Sequence, residues 1–357
     1  MTLTAPAVRL RPFYCPVAPA KHPESELLNR RTVQWVRDHG LYADDTQRRR
    51  LEHVNAGLLA GLTSPGGLLE PTQVSADSLM WLFAFDDAHC DEGSLGRDPL
   101  ELSRVLIRLL RILEAPEAPI PPSGPYRNFE LALRDLHGRL TSCATPVQVG
   151  RWIDAMRMYF LCQVREAADR TEKAVPDLAD YALLRIHNGA MRVSVMLLDI
   201  ADGYELPAAD MDRADVRALT EVTCLLVGWD NDILSFRKEH TRTEDAVGLL
   251  DVLAHARDED VSVVMDEAML LRDQLMVLFE RLGQQVIADA STDLRRYVAS
   301  LGHWIRANLE WGMTCERYRE PGGTSPLDLQ WADTPTPLSE APVPVPTIAW
   351  WWRQLGT

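Results

Sequence analysis

The chain has 357 residues, 46 % hydrophobic and 25 % charged, with a formal net charge of −15. That is enough chain to bury a large core, and the balance is that of an ordinary soluble globular protein. The negative charge argues against nucleic acid or an anionic membrane as partner, and suits an acidic site that takes up divalent cations before a negative substrate.

Cys15, Cys90, Cys143, Cys162, Cys224 and Cys315 form no C-x-x-C pair, so neither a disulfide frame nor a zinc site is expected. The N-terminal stretch MTLTAPAVRLRPFYCP lacks an apolar h-region, and no window is apolar and charge-free for long enough to span a bilayer. Cytoplasmic location without stable membrane insertion is therefore expected.

Residues 1–24 are rich in proline and read as an extended strap. From Ser25 onward the apolar spacing is helical almost everywhere: Leu28, Thr32, Trp35 and Val36 share one face. Further helices are expected at Leu51–Leu62, Ser75–Phe85, Pro99–Leu113, Tyr126–Leu140, Pro146–Ala168, Leu178–Ile200, Asp215–Glu239, Val247–Ala256, Val261–Leu282 and Ser291–Tyr318. Runs of β-branched residues alternating with polar ones are nearly absent. Prolines 116, 119, 121, 122 and 125 punctuate one long loop. After Pro321 comes a segment rich in Pro, Thr, Ser and Gly, ending in AWWWRQL. The economical architecture is all-α: one helical domain at 25–320, with a loosely attached C-terminal tail at 321–357, mobile or lid-like. The sequence does not place Trp350–Trp352.

The first cluster of interest is FAFDDAHCDE, Phe83–Glu92. An α-helical reading puts Asp87 and Asp91 on one face, with Asp86 about 100° away. The stretch before them, Leu79–Phe85, is wholly apolar, so the acids sit at the C-terminal end of a buried helix. Carboxylates there oppose the negative pole of the helix dipole and repel one another unless a cation lies among them. A frayed acidic helix end is the competing reading. His89 and Cys90 read as wall or surface residues, since no second His/Cys set accompanies them.

The second cluster, CLLVGWDNDILSFRKE (Cys224–Glu239), has no glycine or proline after Trp229. Asn231, Ser235 and Glu239 fall at i, i+4 and i+8, so an amide oxygen, a hydroxyl and a carboxylate stack along one helix face. Three hard oxygen donors suit Mg²⁺ or Mn²⁺. Lys238 lies just off that face, within reach of an anion held by the metal. The bland alternative is the polar face of an amphipathic helix. Farther on, Trp304, Asn308, Trp311, Cys315 and Tyr318 are spaced as one stripe. Such rings, like Phe83 one turn before Asp86 and Asp87, are more often core than cavity lining.

Two acidic motifs on separate helices, D-D-x-x-x-D and N-D-x-x-S-x-x-K-E, make the chain resemble a bacterial class I terpene synthase over most of its length. PFYCP at 12–16 with His22-Pro23 looks like that family's N-terminal strap. Arg185, followed by Asn188-Gly189, looks like its diphosphate sensor and the helix break behind it. Arg317-Tyr318 looks like its terminal pair. The resemblance implies a single helical bundle around a blind apolar cavity. It further implies metal ligation by Asp86, Asp87, Asp91, Asn231, Ser235 and Glu239, with three Mg²⁺ expected and Mn²⁺ as substitute. Arg185, Asn231, Lys238, Arg317 and Tyr318 would bind the diphosphate, and Arg185, Asn188, Gly189, Phe83 and Trp311 would act in catalysis. Cys90 stands where the plain motif has its third acid, so the choice among Asp87, Asp91 and Glu92 stays open while Asp86 is unaffected.

The implied reaction is ionisation and cyclisation of an isoprenyl diphosphate, farnesyl diphosphate first and geranylgeranyl diphosphate next. A chain-elongating prenyl transferase is the related alternative, although that family carries two aspartate-rich motifs. A non-catalytic helical interaction protein is the unrelated one. A homodimer is compatible with the sequence, which shows no interface.

Overall fold

The structure, a computed structural model, describes residues 9–91, 93–243, 245–318, 329–337 and 342–356; Glu92 lies outside them. After strand β1 (Phe13–Tyr14) come helices α1 (Ser25–His39), α2 (Asp45–Glu52), α3 (Ala56–Thr63) and α4 (Leu69–Phe85). A π-helical turn, Asp86–Asp91, continues α4 directly. Then follow α5 (Pro99–Glu114), α6 (Arg127–Cys143), α7 (Pro146–Glu172), α8 (Leu178–Asn188), α9 (Met191–Val195), α10 (Leu198–Ala201) and α11 (Ala208–Met211). The chain closes with α12 (Ala214–Arg242), α13 (Leu249–Arg257), α14 (Val261–Ala288), α15 (Thr292–Thr314) and strand β2 (Trp331–Ala332). The all-α class expected from the sequence holds, and no described helix is long and apolar enough to cross a membrane.

Local chemistry sets many of these boundaries. Asp44, Asp98, Asp177, Asp260 and Ser291 each accept a backbone N–H in the first turn of the helix they precede, as N-cap side chains do. Three expected helices are broken. Leu51–Leu62 divides at Asn55, whose left-handed φ of 59° suits a short polar side chain. Leu178–Ile200 is interrupted after Asn188, and Ser291–Tyr318 stops at Thr314. Beyond it Cys315 is extended, and Tyr318 lies in a separate 3₁₀ turn.

The described residues group into two compact units that alternate along the chain. One comprises Ala20–Glu172 and Arg192–Glu205. Here α4 is packed by α1, α3, α6 and α10, while α5 packs on α6 and α7. Asp77, in mid-α4 and 1 % exposed, receives Arg139 at 2.7 Å, Thr32 at 2.6 Å and Gln73 at 3.0 Å. A buried carboxylate is tolerable only with such partners.

The other unit comprises the described residues of Met1–Pro19, Lys173–Met191 and Leu206–Thr357. Helix α12 is packed by α8, α14 and α15. Asp230 and Arg272, both 0 % exposed, join α12 to α14 through two hydrogen bonds of 2.9 and 3.0 Å. The strap and the tail dock on adjacent α14 residues. Arg272 donates to the Tyr14 carbonyl at 2.5 Å, and Asp273 accepts from Thr336 Oγ1 at 2.7 Å. Strands β1 and β2 pair in parallel, Phe13 opposite Trp331. The segment expected to hang loosely is packed where it is described: Val343, Val345, Ile348 and Trp351 are buried, and the Trp351 indole N–H donates to Glu221 on α12 at 2.8 Å. Trp351→Ala should therefore lower the unfolding free energy by about 3–5 kcal/mol, read as a shift in the urea midpoint, with Trp351→Phe intermediate.

Candidate active site

In the first unit, α4 delivers its acidic end from an aromatic core. Trp81 stacks on Phe85 at 5.1 Å and donates its indole N–H to the Phe129 carbonyl. His89 extends this wall, 4.9 Å from Phe129 and 5.2 Å from Tyr126, and burial pushes its pKa down to about 4. Phe83 is half-buried one turn before the acids.

The π turn changes how the acids are arrayed. Hydrogen bonding to the fifth residue rather than the fourth inserts one residue per turn. The face expected to pair Asp87 with Asp91 instead groups Asp86 with Asp91. Both carboxylates act on the same neighbours, Cys90, Tyr159 and Arg170. The Tyr159 hydroxyl donates to Asp86 at 3.4 Å, whereas Asp87 is buried, 6 % exposed. Burial first, then Asp86 and Asp91, push the Cys90 thiol well up, which leaves it neutral and a poor metal ligand.

The cation that this acidic helix end demands is supplied by α7. Arg170 donates to Asp91 at 2.7 Å, to Glu166 at 2.5 Å and to the Cys90 carbonyl at 2.6 Å. Burial by itself would lower the Arg170 pKa, but Glu166, Asp91 and Asp86 raise it. The sequence reading missed Arg170 and Glu166, because at i, i+4 they look like any surface helix pair.

In the second unit, α12 runs unbroken through Asn231, Ser235 and Glu239, so the three donors occupy successive turns of one face. Asn231 donates its amide N–H to Tyr318 Oη and accepts from Arg185 at 3.0 Å. Tyr318 stands edge-on to Trp311 at 5.4 Å, and burial pushes its phenol strongly up. Lys238 Nζ is 3.6 Å from Glu239. Trp304, Asn308 and Trp311 are buried along α15, and Tyr318 rejoins them through its 3₁₀ turn. Arg317 is half-buried beside it.

Arg185 lies against α12. It pairs with Asp232 at 2.7 Å, bonds the Gly228 carbonyl at 3.2 Å and reaches Asn188 at 3.3 Å. Burial raises the Asp232 pKa to about 6 against the opposing pull of Arg185 and the Tyr181 hydroxyl. The glycine after α8 leaves room for the Arg185 guanidinium. Gly189 has an ordinary φ of −76°, and the left-handed residue is Ala190 at 56°. A Cβ at Gly189 would come within 2.8 Å of the Arg185 guanidinium.

One atom tests whether these residues fit a metal. The Ser235 hydroxyl is buried, and its oxygen has no hydrogen-bond partner among the described residues. A mid-helix serine normally bonds back to the carbonyl four residues earlier, and a buried hydroxyl without a partner is costly. Its place between Asn231 and Glu239 fits a hard cation held by oxygen donors. No three His, Cys, Asp or Glu side chains among the described residues form a metal-holding group by themselves; the second set contains an amide and a hydroxyl beside its carboxylate.

The helical fold is that of the class I terpenoid synthases. The chain belongs to the terpene synthase family: residues 77–276 match the family described as terpene synthase family 2, C-terminal metal binding, so a divalent metal is part of its working site. It is 36 % identical to (+)-(1(10)E,4E,6S,7R)-germacradien-6-ol synthase of Streptomyces pratensis over 99 % of each chain. It is 38 % identical to (+)-T-muurolol synthase of Streptomyces clavuligerus, which is named as cyclising (2E,6E)-farnesyl diphosphate, over 96 % of this chain and 81 % of that one. Among solved structures it is similar to the SVS_A2 protein from ancestral sequence reconstruction, with TM-score 0.87, 31 % identity and coverage of 97 % and 99 %.

Arg170→Leu should leave Asp86, Asp91 and Glu166 without their shared partner. The expected cost is about 2–3 kcal/mol of stability, less than for a fully buried pair. Millimolar Mg²⁺ should recover part of it, and urea unfolding with and without Mg²⁺ reads both effects.

Proposed function

We propose that the protein ionises and cyclises a linear isoprenyl diphosphate, farnesyl diphosphate in the first instance, and releases inorganic diphosphate. The carrying observation is the donor row Asn231, Ser235 and Glu239, with its buried, unpartnered hydroxyl and with Arg185, Lys238 and Tyr318 close by. The relative named as a farnesyl diphosphate cyclase supports the substrate. The Asn–Ser–Glu form of the second motif favours cyclisation over chain elongation.

Magnesium ions, three in this reading with manganese as substitute, supply positive charge that stabilises the departing diphosphate. Asn231, Ser235 and Glu239 are the proposed ligands in one unit and Asp86 and Asp91 those in the other; Asp87 is the weaker candidate. Arg185 offers a planar fork to phosphate oxygens and Lys238 a point charge. Arg317 adds a second guanidinium. Tyr318 accepts from Asn231 through its oxygen and so keeps its proton to donate to an anion. A side chain at position 189 would displace Arg185, so Gly189 preserves its reach, and Asn188 steadies it from the same turn.

After ionisation the protein's task is to keep water away and direct the cation. Trp311 and Phe83 are the rings proposed to stabilise a carbocation, each by about 0.5–2 kcal/mol. No side chain is assigned as a dedicated base; the departing diphosphate takes the final proton in this scheme.

Purified protein incubated with C10, C15 and C20 diphosphates and Mg²⁺ should convert the C15 substrate to a cyclic, hexane-extractable product, with turnover abolished by EDTA. Ser235→Ala and Glu239→Gln should each lower kcat by about a hundredfold or more. Preference for the C20 substrate would reassign chain length. Longer linear diphosphates would make the protein an elongating transferase, and absence of both product and diphosphate release would overturn the reading.

A further inference from the structure

The donor row on α12 is not equally open to a cation. The Ser235 hydroxyl has no partner among the described residues, while the Asn231 oxygen already accepts from Arg185 Nη2 at 3.0 Å. The other end of the same amide is bonded to Tyr318, which fixes the oxygen toward the guanidinium. Asn231 has a single oxygen to give, and a guanidinium occupies it.

The surroundings of Arg185 hold it there. Its Nη2 lies 2.7 Å from Asp232 Oδ1 and 3.2 Å from the Gly228 carbonyl. Gly228 lacks the side chain that would block this approach: a Cβ would meet the Arg185 stem at 3.0 Å and Nε at 3.2 Å. Asp232 is itself fixed by the Tyr181 hydroxyl at 2.5 Å and the Leu249 N–H at 3.2 Å. The counter-ion is therefore anchored independently of Asn231, whereas the bond from Arg185 to Asn231 can be exchanged without leaving the guanidinium unpaired.

An amide oxygen has two lone pairs, but a divalent cation and a guanidinium on the same oxygen would stand side by side as like charges. Like charges at that distance repel, and more strongly where burial has reduced screening. We infer that Arg185 is a place-holding cation at Asn231, which must give way before a metal ion can use that oxygen, and that Asp232 is the positioning residue that retains Arg185 on α12 when it does. Metal uptake then exposes a guanidinium to the incoming anion, so that the diphosphate sensor is presented only when the charge to match it is arriving. This inference rests on the reading of Asn231, Ser235 and Glu239 as metal ligands.

A supporting role and a place-holding role predict opposite signs. If Arg185 merely braces Asn231, its removal weakens metal binding; if it competes with the metal, its removal strengthens it. The test is Mn²⁺ binding to the full-length protein without any diphosphate, followed by electron paramagnetic resonance of the free ion. Arg185→Met should bind its first Mn²⁺ about tenfold more tightly than wild type, within the usual range of coupling between two binding events. Adding Ser235→Ala in that background should reverse the gain. Should Arg185→Met not fold, Arg185→Gln, which keeps an N–H for Asp232, takes its place with the same expectation. Unchanged or weaker Mn²⁺ binding without Arg185, with Ser235→Ala still weakening wild type, overturns the place-holder and leaves the ligand row standing. If Ser235→Ala changes binding in neither background, the ligand row itself fails, and the place-holder with it.

Discussion

Carboxylates inside or at the ends of buried helices need a cation, and meeting that need organises much of this molecule. Asp77 is matched by Arg139, Asp230 and Asp273 by Arg272, Asp232 by Arg185, and Asp91 with Glu166 by Arg170. In each case the guanidinium comes from a different helix from the acid it chiefly serves, Asp273 and Glu166 being the exceptions. Charge neutralisation and helix packing are therefore the same set of contacts. Leaving such an acid unpaired costs several kcal/mol, so these arginines are as much a part of the fold as the apolar core.

The four pairs differ in what surrounds them. Asp77 and Asp230 are enclosed by protein hydrogen bonds, and nothing about them invites a ligand. The Asp91 and Asp232 pairs adjoin the motifs that the family resemblance assigns to metal and diphosphate. A π turn at one and an unpartnered serine hydroxyl at the other mark places where ordinary helical bonding has been given up. Departures of that kind concentrate at functional sites because the surrounding structure must hold them in place.

Much of this was legible in the chain itself. The row Asn231, Ser235 and Glu239 follows from helical periodicity alone, because no breaker interrupts α12. Acids at the end of a buried helix, Phe83–Glu92, call for a cation among them, but the letters do not show that Arg170 bonds Asp91 and Glu166 there. A π turn has no compositional signature: one extra residue per turn moves the shared face from Asp87 to Asp86, and the letters stay the same. Nor does a proline-rich tail reveal that Trp351 will meet Glu221, since that contact links residues far apart in sequence. Asp232 stood in plain view within the second motif, but its role depends on Tyr181 and Arg185 reaching it from another helix.

The two acidic sets also show why their chemistries differ. The first is built of carboxylates at a helix end, half-exposed, where charge is tolerable with one arginine nearby. The second lies toward the C-terminal end of α12, where Ser235 is fully buried and Asp232 nearly so, while Asn231 and Glu239 are half-buried. Carboxylates at positions 231 and 235 would add two more charges beside Asp232 and Glu239 in a region where Asp232 alone already titrates upward to about 6. A neutral amide and a hydroxyl supply hard oxygen to a cation without that repulsion or desolvation. A neutral amide and a hydroxyl thus stand where Asp232 and Glu239 already supply the negative charge of this stretch of α12.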